Sequence, residues 1–579
     1  MKKLTSLLLS ALAASTFAAD VTFWPRLSPA VMPTELQQLV VLEFSPDLDI
    51  SGEATVTMTL PPGIEFAGIP QAWVNPDKPN VYALPSPAAT AYPTSAVQEE
   101  ITLTLKFPAG AFEREELTRL PMIWNVRYTP AGTTSVKIDI KSDSAESTRE
   151  LPLEIAPPLT GRKSAKPLIA WNFQGLEEQF LPTYLNALTQ AGVNRVYEMR
   201  EETPNRKSVV DLGEEFGTIH GTSLFGERIG KYFKDNGLPA ELADRDDVIF
   251  DNAWLLDNPD VMEVLLSHYI DYLTDGKKFD VVVYDAERGA FKSNGKTIVG
   301  DLTEYSLQKF GAQFNIPAAE LTPEIITEKY QAEWIKYCCD QSLALATIAA
   351  RVTKEKIPGA TFEVYSGYEY DLPPHKDLTR RNYAVDWKSM ATSGMDAAGA
   401  GYFGSPEDIM NTARALGDIP YLPAEMYMDG FASPGDHTSR IEWQAFSARL
   451  IRSFLLSGAH GVQIWYGSEL DGNALVALDR YTAFVNLLAD SGAGEMKPYG
   501  DDFYQVLPGG VEMFTYATDT DSYIIALNAN RTARRLNREI SLPDMTVLYN
   551  ITDSTQFTAP RFLRYELRPF SYVVWKHAR

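Results

Sequence analysis

Two carboxylates end a short apolar run. In Phe279-Asp280-Val281-Val282-Val283-Tyr284-Asp285-Ala286-Glu287, the residues Val281 to Tyr284 are β-branched or aromatic and lead directly into Asp285 and Glu287. Such a run predicts a strand buried on both faces, as in a parallel sheet. Side chains two apart on a strand share a face, so Asp285 and Glu287 should project together from its C-terminal end. Barrels of alternating strands and helices place their chemistry there. The plainer alternative has Asp285 capping the next segment and Glu287 solvated.

Other candidate strand ends carry the same mixture of acids and aromatic rings. Trp171 and Asn172 lie in the first apolar strand, and His220 lies near the third. Tyr368, Glu369 and Asp371 follow the fifth, and Tyr402 follows the sixth. The seventh carries Glu425, with Tyr427 after it. The eighth ends at Trp465, with Glu469 just beyond. Aromatic faces stack on the C–H patches of pyranose rings, and carboxylates hydrogen-bond hydroxyls or act on a glycosidic oxygen. The pattern predicts a carbohydrate as the bound partner. On this reading Glu287 is the general acid/base, Glu425 the nucleophile, and Asp285 tunes Glu287. Asp285 as nucleophile with Glu425 as acid stays open. The remaining residues above would contact substrate. The 6 His form no His-x-His or His-x-x-x-His pair, and no Gly-x-Ser-x-Gly elbow occurs, so neither a metal nor a cofactor is expected.

The elements that must position these residues fall into three textures. Residues 20–157 alternate with period two, as in Ile101-Thr102-Leu103-Thr104-Leu105, and are punctuated by Pro61-Pro62-Gly63 and Pro130-Ala131-Gly132. They predict an immunoglobulin-like β-sandwich. Residues 158–167 read as a Pro-bounded linker. From Leu168 to 491, apolar strands alternate with amphipathic helices in eight units, which predicts a (β/α)8 TIM barrel. These include a strand near Gly217 to Leu224 and a helix from about Pro323 to Lys354. The glutamine and glycine after strand one, Gln174-Gly175, form no phosphate loop. Residues 498–579 return to period two and predict a small C-terminal β-sandwich.

The formal net charge of -24, from 76 acids and 52 bases, repels polyanions and argues against nucleic acid as a partner. Met1-Lys2-Lys3, the apolar run Leu7 to Ala14, and Thr16-Phe17-Ala18 have the three parts of an export signal over residues 1–18, implying a secreted or periplasmic protein. No later stretch reaches the length of an integral membrane span. The 2 cysteines, Cys338 and Cys339, are adjacent and are expected as buried apolar packing rather than a disulfide.

The order of sandwich, barrel and small sandwich resembles exported bacterial TIM-barrel glycoside hydrolases. The opening stretch is also similar to the strand-four signature of family 18 chitinases. It matches at Phe279, Asp280, Asp285 and Glu287, with Val281 and Val283 where that family has Gly and a middle Asp. That likeness implies a third assignment, in which Asp285 orients a substrate acetamido group that itself attacks. Tyr402 and Trp465 then fall where the family keeps a tyrosine and a floor tryptophan. Two other functions compete: a carbohydrate-binding or cell-surface protein on an inactive barrel, and a polysaccharide lyase or esterase.

Overall fold

The computed structural model describes residues 21–23, 29–44, 53–68, 100–106, 119–127, 129–143, 146–171, 181–198, 211, 215–287, 290–293, 296–370, 378–401, 404–427, 441–465, 470–500, 502–539, 547–558 and 562–579. Eight parallel strands close a barrel: β1 Leu168–Trp171, β2 Arg195–Glu198, β3 Ile219–Phe225, β4 Val281–Asp285, β5 Thr361–Ser366, β6 Ala397–Ala400, β7 Tyr421–Met426 and β8 Val462–Trp465. Each pairs with its neighbour in sequence, and β1 closes on β8 through Ile169 and Gln463.

Alternation along these strands sorts their residues between two cores. Ile169, Trp171, Tyr197, Val281, Val283, Tyr365, Leu422, Ala424, Met426 and Trp465 pack together inside the barrel. The intervening residues, such as Val282, Tyr284, Val364 and Tyr421, pack outward against the helices. The helices carry their own start signals. Ser405 and Asp408 form a reciprocal capping box ahead of helix Pro406–Leu416, and Asp471 caps helix Gly472–Asp490 by accepting from the Ala474 amide at 3.0 Å.

The connection from β4 to β5 is long. It contains a hairpin, Ala290–Ser293 with Lys296–Val299, then helix Glu304–Phe314. The single helix expected from Pro323 to Lys354 is two, Pro323–Lys329 and Gln331–Lys356, interrupted at Tyr330 with φ -128° and ψ 22°. Cys338 and Cys339 lie buried and form no disulfide in the small core this insertion builds, and the Cys338 thiol donates to the Val299 carbonyl at 3.5 Å.

Before the barrel, a four-stranded antiparallel sheet and a five-stranded mixed sheet share one hydrophobic core around Val56, Trp124 and Leu153. After it, two antiparallel sheets share a second core around Met513, Leu563 and Trp575. The barrel's outer core reaches both flanks, taking in Leu36 and Ile123 on one side and Phe514 and Tyr523 on the other. The 158–167 segment is strapped down along its length. Thr160 bonds Asp479, Lys163 donates to the Phe216 and Gly217 carbonyls at 2.8 and 2.6 Å, and Asn194 donates to the Ser164 and Lys166 carbonyls. Among the described residues, no helix is long and apolar enough to cross a membrane.

Candidate active site

Asp285 shares the inward face of β4 with Val281 and Val283 and is 3% exposed. Glu287 stands two residues on, at the C-terminal opening, and its amide donates to Asp285 Oδ1 at 3.1 Å. Its carboxyl oxygen Oε1 lies against Gly367, just past β5. A methyl added at Gly367 would sit 2.4 Å from Glu287 Oε1, and 3.0 and 3.2 Å from the Tyr383 ring carbon Cε2 and hydroxyl. Only glycine leaves this space, so Glu287, Gly367 and Tyr383 are in mutual contact.

Tyr383 ends the short helix Leu378–Tyr383 and stacks on Tyr368, with ring centroids 5.5 Å apart and planes 28° apart. Burial pushes its phenol well above the usual tyrosine range, and the charges of Glu287, Tyr368 and Asp285 push the same way. The phenol therefore keeps its proton across the physiological range. The segment carrying Tyr368 is held by Trp387 Nε1, which donates to the Tyr368 carbonyl at 3.1 Å, and by Thr379 Oγ1, which donates to the Tyr368 and Glu369 carbonyls. The Tyr370 amide donates to Thr412 Oγ1 at 2.6 Å.

An aromatic plug floors the opening. Trp465, 9% exposed, stacks on Tyr365 at 5.7 Å and 7°. Beneath it Trp171 meets Tyr197, Tyr365 and Trp465 at 5.1, 5.3 and 5.5 Å. Deeper still, toward the N-terminal end, Arg195 pairs with the buried Glu363 at 3.2 Å, and the Tyr197 hydroxyl donates to the same carboxyl at 3.0 Å. Burial pushes the Glu363 carboxyl up, against the opposing pull of Arg195 and Tyr197. A charge so far below the opening serves the barrel's packing.

The structure brings Asp285, Glu287, Tyr368 and Trp465 to the opening and places other expected site residues elsewhere. Glu425 follows the outward parity of Tyr421, opposite to Leu422, Ala424 and Met426. It is 3% exposed, pairs with Arg449 Nε at 2.7 Å, and accepts from Ser453 on helix Trp443–Leu456. It belongs to the wall behind the barrel, away from the opening where the expected nucleophile would stand. His220 likewise takes the outward face of β3, since the next residue, Gly221, is the one that abuts the Tyr197 ring, and it bonds Thr218 at 3.2 Å. Trp171 is fully buried in the plug and offers no face to a sugar. Tyr427 packs on Phe446 and bonds Asn473 behind β7. Glu369 is 7% exposed and its carboxyl sits in a cradle made by Gly401 and Gly404, just past β6. Asn172, Asp371, Tyr402 and Glu469 lie outside the described residues.

Gly367 and Tyr383 were not among the expected site residues. A lone glycine after a strand and a tyrosine in a short polar helix carry no periodic signal. Among the described residues, no group of three or more His, Cys, Asp or Glu is arranged to hold a metal ion.

A scan against protein-family models matches none. No curated protein matches the sequence. Solved structures that align with the chain include a GH36 α-galactosidase from Geobacillus stearothermophilus in complex with raffinose, at 10% identity and TM-score 0.41, covering 93% of this chain and 76% of that one. An Anoxybacillus α-amylase aligns at 10% identity and TM-score 0.40, over 72% of this chain and 98% of that one. A family 39 glycoside hydrolase from Bacteroides cellulosilyticus WH2 aligns at 9% identity and TM-score 0.35, over 96% of this chain and all of that one. Likenesses this distant carry no functional argument, and the barrel assignment rests on the closed strand order itself.

Proposed function

We propose that the protein is a glycoside hydrolase in which Glu287 is the general acid/base and Asp285 orients the reacting group beside it. The observation that carries this reading is the pairing of an inward Asp285 with Glu287 at the C-terminal opening, walled by Gly367 and Tyr383. The outward turn of Glu425 into the outer wall speaks against a nucleophile at that position. Of the assignments open from the sequence, the one in which a substrate acetamido group attacks fits best. Asp285 is 3% exposed and tied to the Glu287 amide, a geometry suited to holding a partner rather than attacking a sugar carbon. Protonated Tyr383 can donate to the same region. Trp465 is then the floor on which a pyranose face rests.

We read the flanking sheets as β-sandwich domains and residues 1–18 as an export signal. The working site is then secreted or periplasmic, facing poly- or oligosaccharides. The test is a panel of chromogenic glycosides with and without a 2-acetamido group, applied to wild type, Glu287→Gln and Glu425→Gln. The reading expects turnover of the acetamido sugars. It expects a loss of about 10² to 10⁴ in turnover for Glu287→Gln and near-wild-type turnover for folded Glu425→Gln. Turnover only of sugars lacking the acetamido group would return the nucleophile to a protein carboxylate.

A further inference from the structure

We infer that Glu369 is a positioning residue: through its carboxyl, seated between Gly401 and Gly404, it pins the turn after β5 to the chain leaving β6 and so holds Tyr368 and Tyr383 against Glu287. Its bearing on catalysis rests on the hydrolase reading above; the contact itself does not.

The geometry is one of close fit. A methyl at Gly401, whose φ of +87° also favours glycine, would fall 1.7 Å from Glu369 Oε1, and one at Gly404 would fall 2.2 Å from it. The carboxyl therefore fills the space that two missing side chains leave, and the Gly404 amide bonds to it. Glu369 directly follows Tyr368, whose ring stacks on Tyr383 beside Glu287. Anchoring one side chain at the cradle fixes the backbone from which the next ring projects to the opening.

The cradle accepts the neutral acid. Burial is the main cause that pushes the Glu369 carboxyl up to about 8, and the negative Glu425 and Asp408 add to it, against the amides of Glu369 and Gly404. The groups facing it are Glu425 and Tyr421 of β7 and Asp408 of helix Pro406–Leu416. The cation Arg449 is already engaged by Glu425 at 2.7 Å. Ionised Glu369 meets two like charges in a dry site, so as pH rises toward about 8 the released, ionised carboxyl is increasingly favoured and the β5 turn loosens.

Hydrogen exchange on the full chain tests this without any substrate. Exchange is followed from pH 6 to 9.5, corrected for intrinsic rates, in peptides covering 366–370 and 397–401, with β4 as the internal reference. The expected result in wild type is protection that falls by up to about tenfold per pH unit from pH 6 to about pH 8 and then levels off. In Glu369→Gln, which keeps a neutral side chain of the same shape, protection stays flat. Gly404→Ala, which displaces the carboxyl at every pH, is less protected than wild type already at pH 6. Flat wild-type protection overturns the inference even if Glu369→Gln does not fold. So does an identical pH dependence in wild type and Glu369→Gln, or full protection in Gly404→Ala. A failure to hydrolyse any glycoside leaves these outcomes unchanged, so the two readings fail separately.

Discussion

Gly367→Ala is the smallest change that should damage the site. The added methyl lies 2.4 Å from Glu287 Oε1, about 1 Å inside an ordinary van der Waals contact, and 3.0 Å from the Tyr383 ring. Tyr383 cannot yield easily, because Tyr368 stacks on its ring. The backbone of Gly367 continues a barrel strand whose Tyr365 pairs with Asp285. The Glu287 carboxyl, at the end of a flexible side chain, is the group that must move, by about 1 Å. A displacement of that size at a reacting group costs on the order of 10² in rate. Overpacking of this kind costs about 1–3 kcal/mol of stability. The expected phenotype is a folded protein, slightly lowered in midpoint by urea denaturation, with kcat on an accepted glycoside down about 100-fold and KM little changed. Full activity with unchanged stability would refute the contact between Gly367 and Glu287. An equal loss in Gly367→Ala and in a remote variant of matched stability would show that only folding had been disturbed.

Two more outcomes follow from groups behind the barrel wall. Glu425→Ala leaves Arg449 without its partner in a site where the carboxyl is 4% exposed, so chemical denaturation should show a loss of about 3–5 kcal/mol while the folded fraction keeps its turnover. Glu369 supplies a pH dependence of stability. Its folded pKa of about 8 lies above the ordinary 4.5, so the unfolded chain releases the proton first as pH rises. The stabilisation is complete below about pH 4.5, falls at up to about 1.4 kcal/mol per unit, and is gone above about pH 8. Urea titrations of wild type and Glu369→Gln should diverge across that window, and parallel curves would contradict the buried neutral acid.

The barrel was legible because β-branched and aromatic runs such as Val281 to Tyr284 recur between helical segments, and the observed β4 and β5 fall within the expected stretches. The inward and outward faces were not legible. In β7 every residue from Tyr421 to Met426 is buried, so apolarity cannot tell the barrel interior from the helix layer. Glu425 looked like an active-site acid for that reason, and the partner that explains it, Arg449, lies 24 residues later on a helix. His220 was misplaced by the same ambiguity. Trp171 was read correctly as a strand residue, but the length of the aromatic plug above it comes only from barrel closure. The pair Asp285 and Glu287 could be placed from sequence because the strand simply ends there.

The most direct test of the central claim is single-turnover hydrolysis by Glu287→Gln, compared with Glu425→Gln, on the best 2-acetamido glycoside found for the wild type. Glu287→Gln should bind substrate with unchanged affinity while its chemical step slows by about 10² to 10⁴, and Glu425→Gln should react at nearly the wild-type rate. A Glu287→Gln enzyme that turns over normally, or a folded Glu425→Gln enzyme that does not, would contradict the assignment of the chemistry to the end of β4.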